Sequence, residues 1–108
     1  MSATAAFRAL GDEVRLSILD DVALNSPCRL GEIGKGMNLT RQGIRKHLRV
    51  LEEAELIRLE PTGREMRVHL NSAGLKTCQD HLREVEQRWN NRLRSLKAYV
   101  EAEMEDHA

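Results

Sequence analysis

The sequence predicts a mainly α fold of the α+β class with one small β-hairpin, on three observations. Residues 40–51 repeat apolar side chains at helical spacing. Residues 57–70 alternate apolar and polar side chains on either side of a Pro/Gly turn. Residues 72–105 carry an unbroken apolar stripe at helical spacing. At 108 residues and 41% hydrophobic content, the chain has room for one domain, residues 1–108, and no second core.

In chain order, an N-terminal helix carries Ala6, Phe7 and Leu10. Leu30 to Leu39 reads as a short helix followed by a tight turn, with Asn38 expected to take the left-handed conformation there. Thr40 is placed to N-cap the next helix. In that helix Ile44, Leu48 and Leu51 fall at i, i+4 and i+7 and form one apolar stripe. Arg41, Gln42, Arg45, Lys46 and Arg49 form a contiguous polar arc beside it, with no acid among residues 41–51. Such a face suits the major groove, where Arg and Gln read base edges and Arg or Lys neutralises phosphate. An ordinary solvated face on an amphipathic helix is the bland alternative. Together, short helix, turn and capped basic helix make a helix-turn-helix over about residues 29–54. Gly43 inside the basic helix costs up to about 1 kcal/mol relative to Ala. Its expected reason is close approach to the preceding helix or to DNA. His47, at the edge of the apolar stripe, reads as a packing histidine.

Ile57-Arg58-Leu59-Glu60 and Met66-Arg67-Val68-His69-Leu70 have the period of half-buried strands, and the loop Pro61–Glu65 joins them. Ile57, Leu59, Met66, Val68 and Leu70 are expected to pack on the helices. Arg58, Arg67 and His69 then turn outward, and Arg64 lies at the tip. A basic-tipped hairpin after a basic helix is a wing, over about residues 57–70. Its cations Arg64 and Arg67 are expected at an adjacent minor groove or flanking phosphates.

Residues 72–105 place Leu75, Cys78, Leu82, Val85, Trp89, Leu93, Leu96, Val100 and Met104 at spacings of three or four. Asn71 or Ser72 is placed to cap this helix. It would run roughly 45 Å at 1.5 Å per residue, longer than a domain of this size can cover. Much of the stripe is therefore expected to meet a second copy of the chain. The expected interface residues are Phe7, Leu82, Val85, Trp89, Leu93 and Leu96, with Trp89 as anchor; packing of Trp89 on its own domain is the alternative. A homodimer also lets two basic helices read adjacent half-sites of a palindrome.

The residues resemble the ArsR/SmtB type of bacterial winged-helix repressor over about residues 5–100, in the branch without an obvious metal box. Phe7-Arg8-Ala9-Leu10-Gly11-Asp12 is similar to the family's F-x-A-L-x-D opening, and Arg15-Leu16-Ser17-Ile18-Leu19 to its R-x-x-I-L run. Thr40-Arg41-Gln42 through His47–Ala54 resembles its recognition helix; Gly63-Arg64 and Leu70 fall where its wing and strand end lie. The resemblance implies a homodimer held by the two terminal helices and a repressor of transcription. Two positions depart from it. Glu55 stands where the family has Gly, so a non-Gly left-handed residue is expected there at around 1 kcal/mol. Arg45 replaces a small Ser, so the bases read are expected to differ from those of relatives.

Formal net charge is zero, but it is segregated: residues 41–49 are basic, whereas Glu101, Glu103, Glu105 and Asp106 make the C-terminus acidic. No apolar run approaches the roughly 20 residues of a membrane span. Met1–Ala6 lacks a basic n-region and a long apolar stretch. The expected setting is cytoplasmic and nucleoid-associated, with double-stranded DNA as partner and no membrane.

No metal or other cofactor is expected. Metal sensors of the family use a Cys-x-Cys pair before the helix-turn-helix, or an Asp-x-His with a distant His and acid. Cys28 has no adjacent Cys, and Asp80-His81 is not Asp-x-His. His81 and Glu84 share a helical face but supply only two ligands, short of the four a tetrahedral site takes. Cys28 and Cys78 form a redox pair only if the fold brings them together; separate buried thiols are the alternative. Gly34-Lys35-Gly36 lacks the order of a phosphate loop. No nucleophile–base pairing occurs at a recognisable spacing, so an enzyme is not expected. The rival to a DNA-binding regulator is a winged helix serving as a protein-interaction module, or a redox- or metal-responsive repressor using these Cys or His81/Glu84 residues.

Overall fold

A computed structural model describes residues 2–106. It orders α1 (Ala3–Leu10), α2 (Glu13–Asn25), β1 (Cys28–Arg29), a 3₁₀ turn (Leu30–Glu32), α3 (Arg41–Glu53), β2 (Ile57–Thr62), β3 (Glu65–Leu70) and α4 (Ser72–Asp106). The chain divides after Cys78 into two units.

The first unit holds everything through the opening turns of α4. Ser2 caps α1 by accepting from the Ala5 N–H at 3.2 Å. Asp12 caps α2, accepting from the N–H groups of Val14 (2.9 Å) and Arg15 (3.0 Å). Arg15 then reaches back: its guanidinium donates to the carbonyls of Ala9 at 2.8 Å and Arg8 at 3.2 Å. One side chain thereby satisfies orphan carbonyls at the end of α1 while opening α2. Ile18, Leu19 and Val22 of α2 join Ile44, Leu48 and Leu51 of α3, and Leu30, Leu56, Ile57 and Val68, in one buried cluster. Leu75 of α4 packs against it.

Three strands pair antiparallel in the order β1-β3-β2, so the expected hairpin has a third, short strand: Cys28 lies opposite Val68 and Arg29 opposite Arg67. Pro61 and Thr62, expected in the loop, belong to β2, and Thr62 pairs with Glu65. The turn therefore shrinks to Gly63 and Arg64. Gly63 carries φ +62°, which a primed turn requires at its first central position.

Two sequence expectations fail in the helix-turn-helix. The short helix before the turn is a single 3₁₀ turn. The left-handed positions in the following turn are Gly34 (φ +80°) and Gly36 (φ +87°), not Asn38. Gly34 is doubly constrained, because a Cβ there would lie 2.7 Å from Ile44 Cδ1. Gly43 does not touch the preceding helix either. The one neighbour a Cβ would meet is the Thr40 hydroxyl at 3.2 Å, so small size here accommodates the helix cap. Glu55 does take the expected left-handed conformation, at φ +56°.

Asn71 starts α4 by accepting from the Ala73 N–H at 3.0 Å. Gly74 lies against the end of α3: its N–H donates to the Glu55 carbonyl at 2.8 Å, and a Cβ would clash with the Ala54 and Glu55 carbonyl oxygens. The second unit, from Gln79 onward, continues α4 as a helix without buried residues. Leu82, Val85, Trp89, Leu93, Leu96, Val100 and Met104 are all exposed in the single chain, Trp89 at 61%. Among the described residues no helix is long and apolar enough to cross a membrane.

Candidate nucleic-acid interface

The interface is built on α3. Thr40 Oγ1 accepts from the Gly43 N–H at 3.0 Å, fixing where the helix starts. Ile44, Leu48 and Leu51 are buried, Leu48 and Leu51 completely, so rotation about the helix axis is set by the core. That rotation leaves Arg41, Gln42, Arg45, Lys46 and Arg49 exposed. Gln42, Arg45, Lys46 and Arg49 surround one shallow surface depression. Arg45 and Arg49 also border an apolar notch with Leu30, Leu48, Leu59 and Met66, where α3 meets the wing.

Acids of the wing and of the 3₁₀ turn are engaged elsewhere. Arg29 binds Glu65 at 3.3 Å and Glu32 at 4.0 Å. Glu60 binds Arg58 at 3.4 Å and His69 at 3.3 Å. The hydrogen bond with His69, then that with Arg58, holds the Glu60 carboxyl below its usual range. Among the described residues, no ion pair engages Arg41, Arg45, Lys46, Arg49, Arg64 or Arg67. Their charge is thus open to a polyanion.

In the wing, Arg64 occupies the second position of the two-residue turn and is exposed, as is Arg67 on β3. His69 is half-buried and tied to Glu60 rather than turned freely outward. His47 of α3 is half-buried, in keeping with a packing role. The structure thus places the two groups of predicted DNA-facing cations on adjoining elements, α3 and the β2–β3 hairpin. Phe7 of α1 is half-buried, and the other five expected interface residues are exposed along α4.

Sequence reading missed four positions that shape this site. Arg15 ties α1 to α2, Gly74 joins α4 to the end of α3, Ser26 Oγ accepts from the Leu70 N–H at 2.9 Å, and Glu52 Oε2 accepts from the Leu59 N–H at 2.9 Å. No local pattern marks the last three, since each depends on a chain segment the side chain or amide meets only after folding.

Both thiols are free and buried. Burial pushes the Cys28 thiol up, with Glu32 and Asp21 adding to it, and burial pushes up Cys78. A raised pKa lowers the thiolate fraction on which thiol exchange depends. Among the described residues, no group of three or more His, Cys, Asp or Glu is arranged to hold a metal ion, His81 and Glu84 included.

A helix-turn-helix domain family model matches residues 10–60, the stretch holding α2, the turn and α3. The chain is 36% identical over 78 residues to the HTH-type transcriptional regulator YuzN of Bacillus subtilis, covering 67% of this chain and 85% of that one. It is 27% identical over 101 residues to the HTH-type transcriptional regulator Rv2034 of Mycobacterium tuberculosis, covering 94% and 91% of the two chains. Among solved structures, an ArsR-like transcriptional regulator from a Rhodococcus species superposes with a TM-score of 0.75 at 28% identity, over 88% of this chain and 89% of that one. Capped basic helix, adjoining wing and these likenesses agree: the chain belongs to the ArsR-type family of winged helix-turn-helix transcriptional regulators.

Proposed function

We propose that this regulator is a homodimeric repressor that occupies a palindromic promoter operator and occludes it. Residues 1–108 act as one winged-helix module in the cytoplasm, on nucleoid DNA. The α3 helix of each subunit enters the major groove, Arg45 and Gln42 facing base edges while Arg41, Lys46 and Arg49 neutralise phosphates. Arg64 and Arg67 meet the flanking backbone or minor groove. The observation that carries this reading is the unpaired cationic face of α3, set in rotation by Ile44, Leu48 and Leu51.

Dimerisation is supported by the row Leu82, Val85, Trp89, Leu93 and Leu96, which the single chain leaves in water. Each such side chain gains roughly 1.5–3 kcal/mol when fully buried, so covering the row offsets a sizeable association cost.

The test is selection of bound fragments from the source genome by purified protein, followed by binding and transcription on the recovered operator. A palindromic consensus, affinity that falls by orders of magnitude between low and moderate salt, and reduced transcription are expected. A monomer at micromolar concentration with no preference among duplexes would overturn the proposal. Salt-insensitive association through α4 alone would point instead to a protein-interaction module.

A further inference from the structure

The outer edge of the wing has one side-chain partner on the recognition helix. β2 is an edge strand, paired only with β3. Thr62 and Glu65 close the two-residue turn and form a pair that exchanges both backbone hydrogen bonds. Alternation from there makes Leu59 opposite Val68, and Ile57 opposite Leu70, pairs that do not exchange them. The Leu59 N–H therefore points away from β3, and Glu52 Oε2 receives it at 2.9 Å. On the opposite edge, the equally outward Leu70 N–H is received by Ser26 Oγ at 2.9 Å. Glu52 lies in the last turn of α3, on the same rod as Arg41–Arg49.

We infer that Glu52 is a positioning residue, clamping the outer strand of the wing to the recognition helix so that Arg64 and Arg67 keep a fixed offset from the α3 cations. This inference rests on the DNA-binding reading above. Its separate content is mechanical: the acceptor oxygen of an exposed acid, not its charge, registers one DNA-facing element against the other. An acid beside a polyanion site is otherwise unfavourable, which makes the hydrogen bond the reason for its presence.

Glu52→Gln and Glu52→Ala separate these effects, since both remove the charge and only Gln keeps an acceptor. In the DNA-free full chain, amide exchange of Leu59 should accelerate about tenfold in Glu52→Ala and stay near the parental rate in Glu52→Gln. On operator DNA, the affinity lost through Arg64→Ala should shrink in the Glu52→Ala background and persist in the Glu52→Gln background. Unchanged Leu59 exchange in Glu52→Ala, or equal behaviour of the two variants in both assays, overturns the clamp. An Arg64→Ala substitution without effect on the parent overturns the wing's share in it. If the parent binds no DNA, the DNA-binding reading falls, and the exchange result alone decides whether the clamp exists.

Discussion

Helices α3 and α4 carry the same kind of apolar repeat and meet opposite fates. In α3 the stripe Ile44, Leu48, Leu51 disappears into its own core and the charged arc stays outside. In α4 beyond Cys78 the stripe itself stays outside, with Leu82 at 55% and Leu96 at 58% exposure. Periodicity thus identifies which side chains share a face, while the covering partner depends on how much chain is within reach. The neighbours of α3 are α1, α2 and β2; the row on α4 beyond Cys78 stays exposed in the single chain.

The largest expected effect comes from breaking the buried stripe. Leu51→Ala should cost about 2–5 kcal/mol in chemical denaturation, since Leu51 is completely buried and the site cannot collapse without moving α3. The exposed stripe should respond in a different observable. Trp89→Ala should weaken self-association by about 2 kcal/mol, roughly 30-fold in sedimentation equilibrium, while leaving the far-ultraviolet signal of helix intact. A similar loss from both variants in dilute denaturation would erase the contrast between the helices.

Where the two helices meet, Gly74→Ala should destabilise by about 1–3 kcal/mol, because its methyl group would press on the Ala54 and Glu55 carbonyls at the end of α3. Thermal melting measures this, and a parental midpoint would show that the start of α4 shifts freely.

The charged arc can be divided further. Arg45→Ala should relax sequence preference at a cost of about 1–3 kcal/mol, whereas Arg49→Ala should weaken binding alike on every duplex and reduce the salt slope by about one. Competition binding on operator and scrambled DNA distinguishes them, and parental binding by both variants defeats the assignment.

The smallest effect concerns acid. The Arg15 N–H and guanidinium, with the Val14 N–H, hold the Asp12 carboxyl below its ordinary value in the fold. A group depressed in this way contributes stability at pH above the ordinary carboxylate value, about 3.9, and loses it as pH falls through the lower folded value. Asp12→Asn should therefore flatten the acid limb of the stability–pH curve and leave its shape near neutrality unchanged.

Much of this molecule was legible because its signals are local. The Thr40 cap, the stripe of α3, the alternation through Ile57–Leu70 and the extent of α4 each arise within a few residues of one another, whereas the left-handed Glu55 was expected only from the family resemblance. β1 was not legible: two residues acquire strand character only by pairing with Arg67 and Val68, about forty positions later. Asn38 has the right chemistry for the left-handed turn position, but the space beside Ile44 selects Gly34 instead. For the candidate site, the exposed cations were readable from helical phase. Glu52, Ser26 and Gly74 were not, since their roles lie in bonds to backbone groups of neighbouring elements.

The two-residue reversal at Gly63-Arg64 makes the hairpin a ruler graduated in paired steps. Adding one residue to each strand would advance its tip by about 3.3 Å but swap which side chains look inward. Adding two would advance it by about 7 Å and restore the original facing. Divergence in footprint among wings of this construction is thereby quantised, with same-facing lengths separated by four inserted residues.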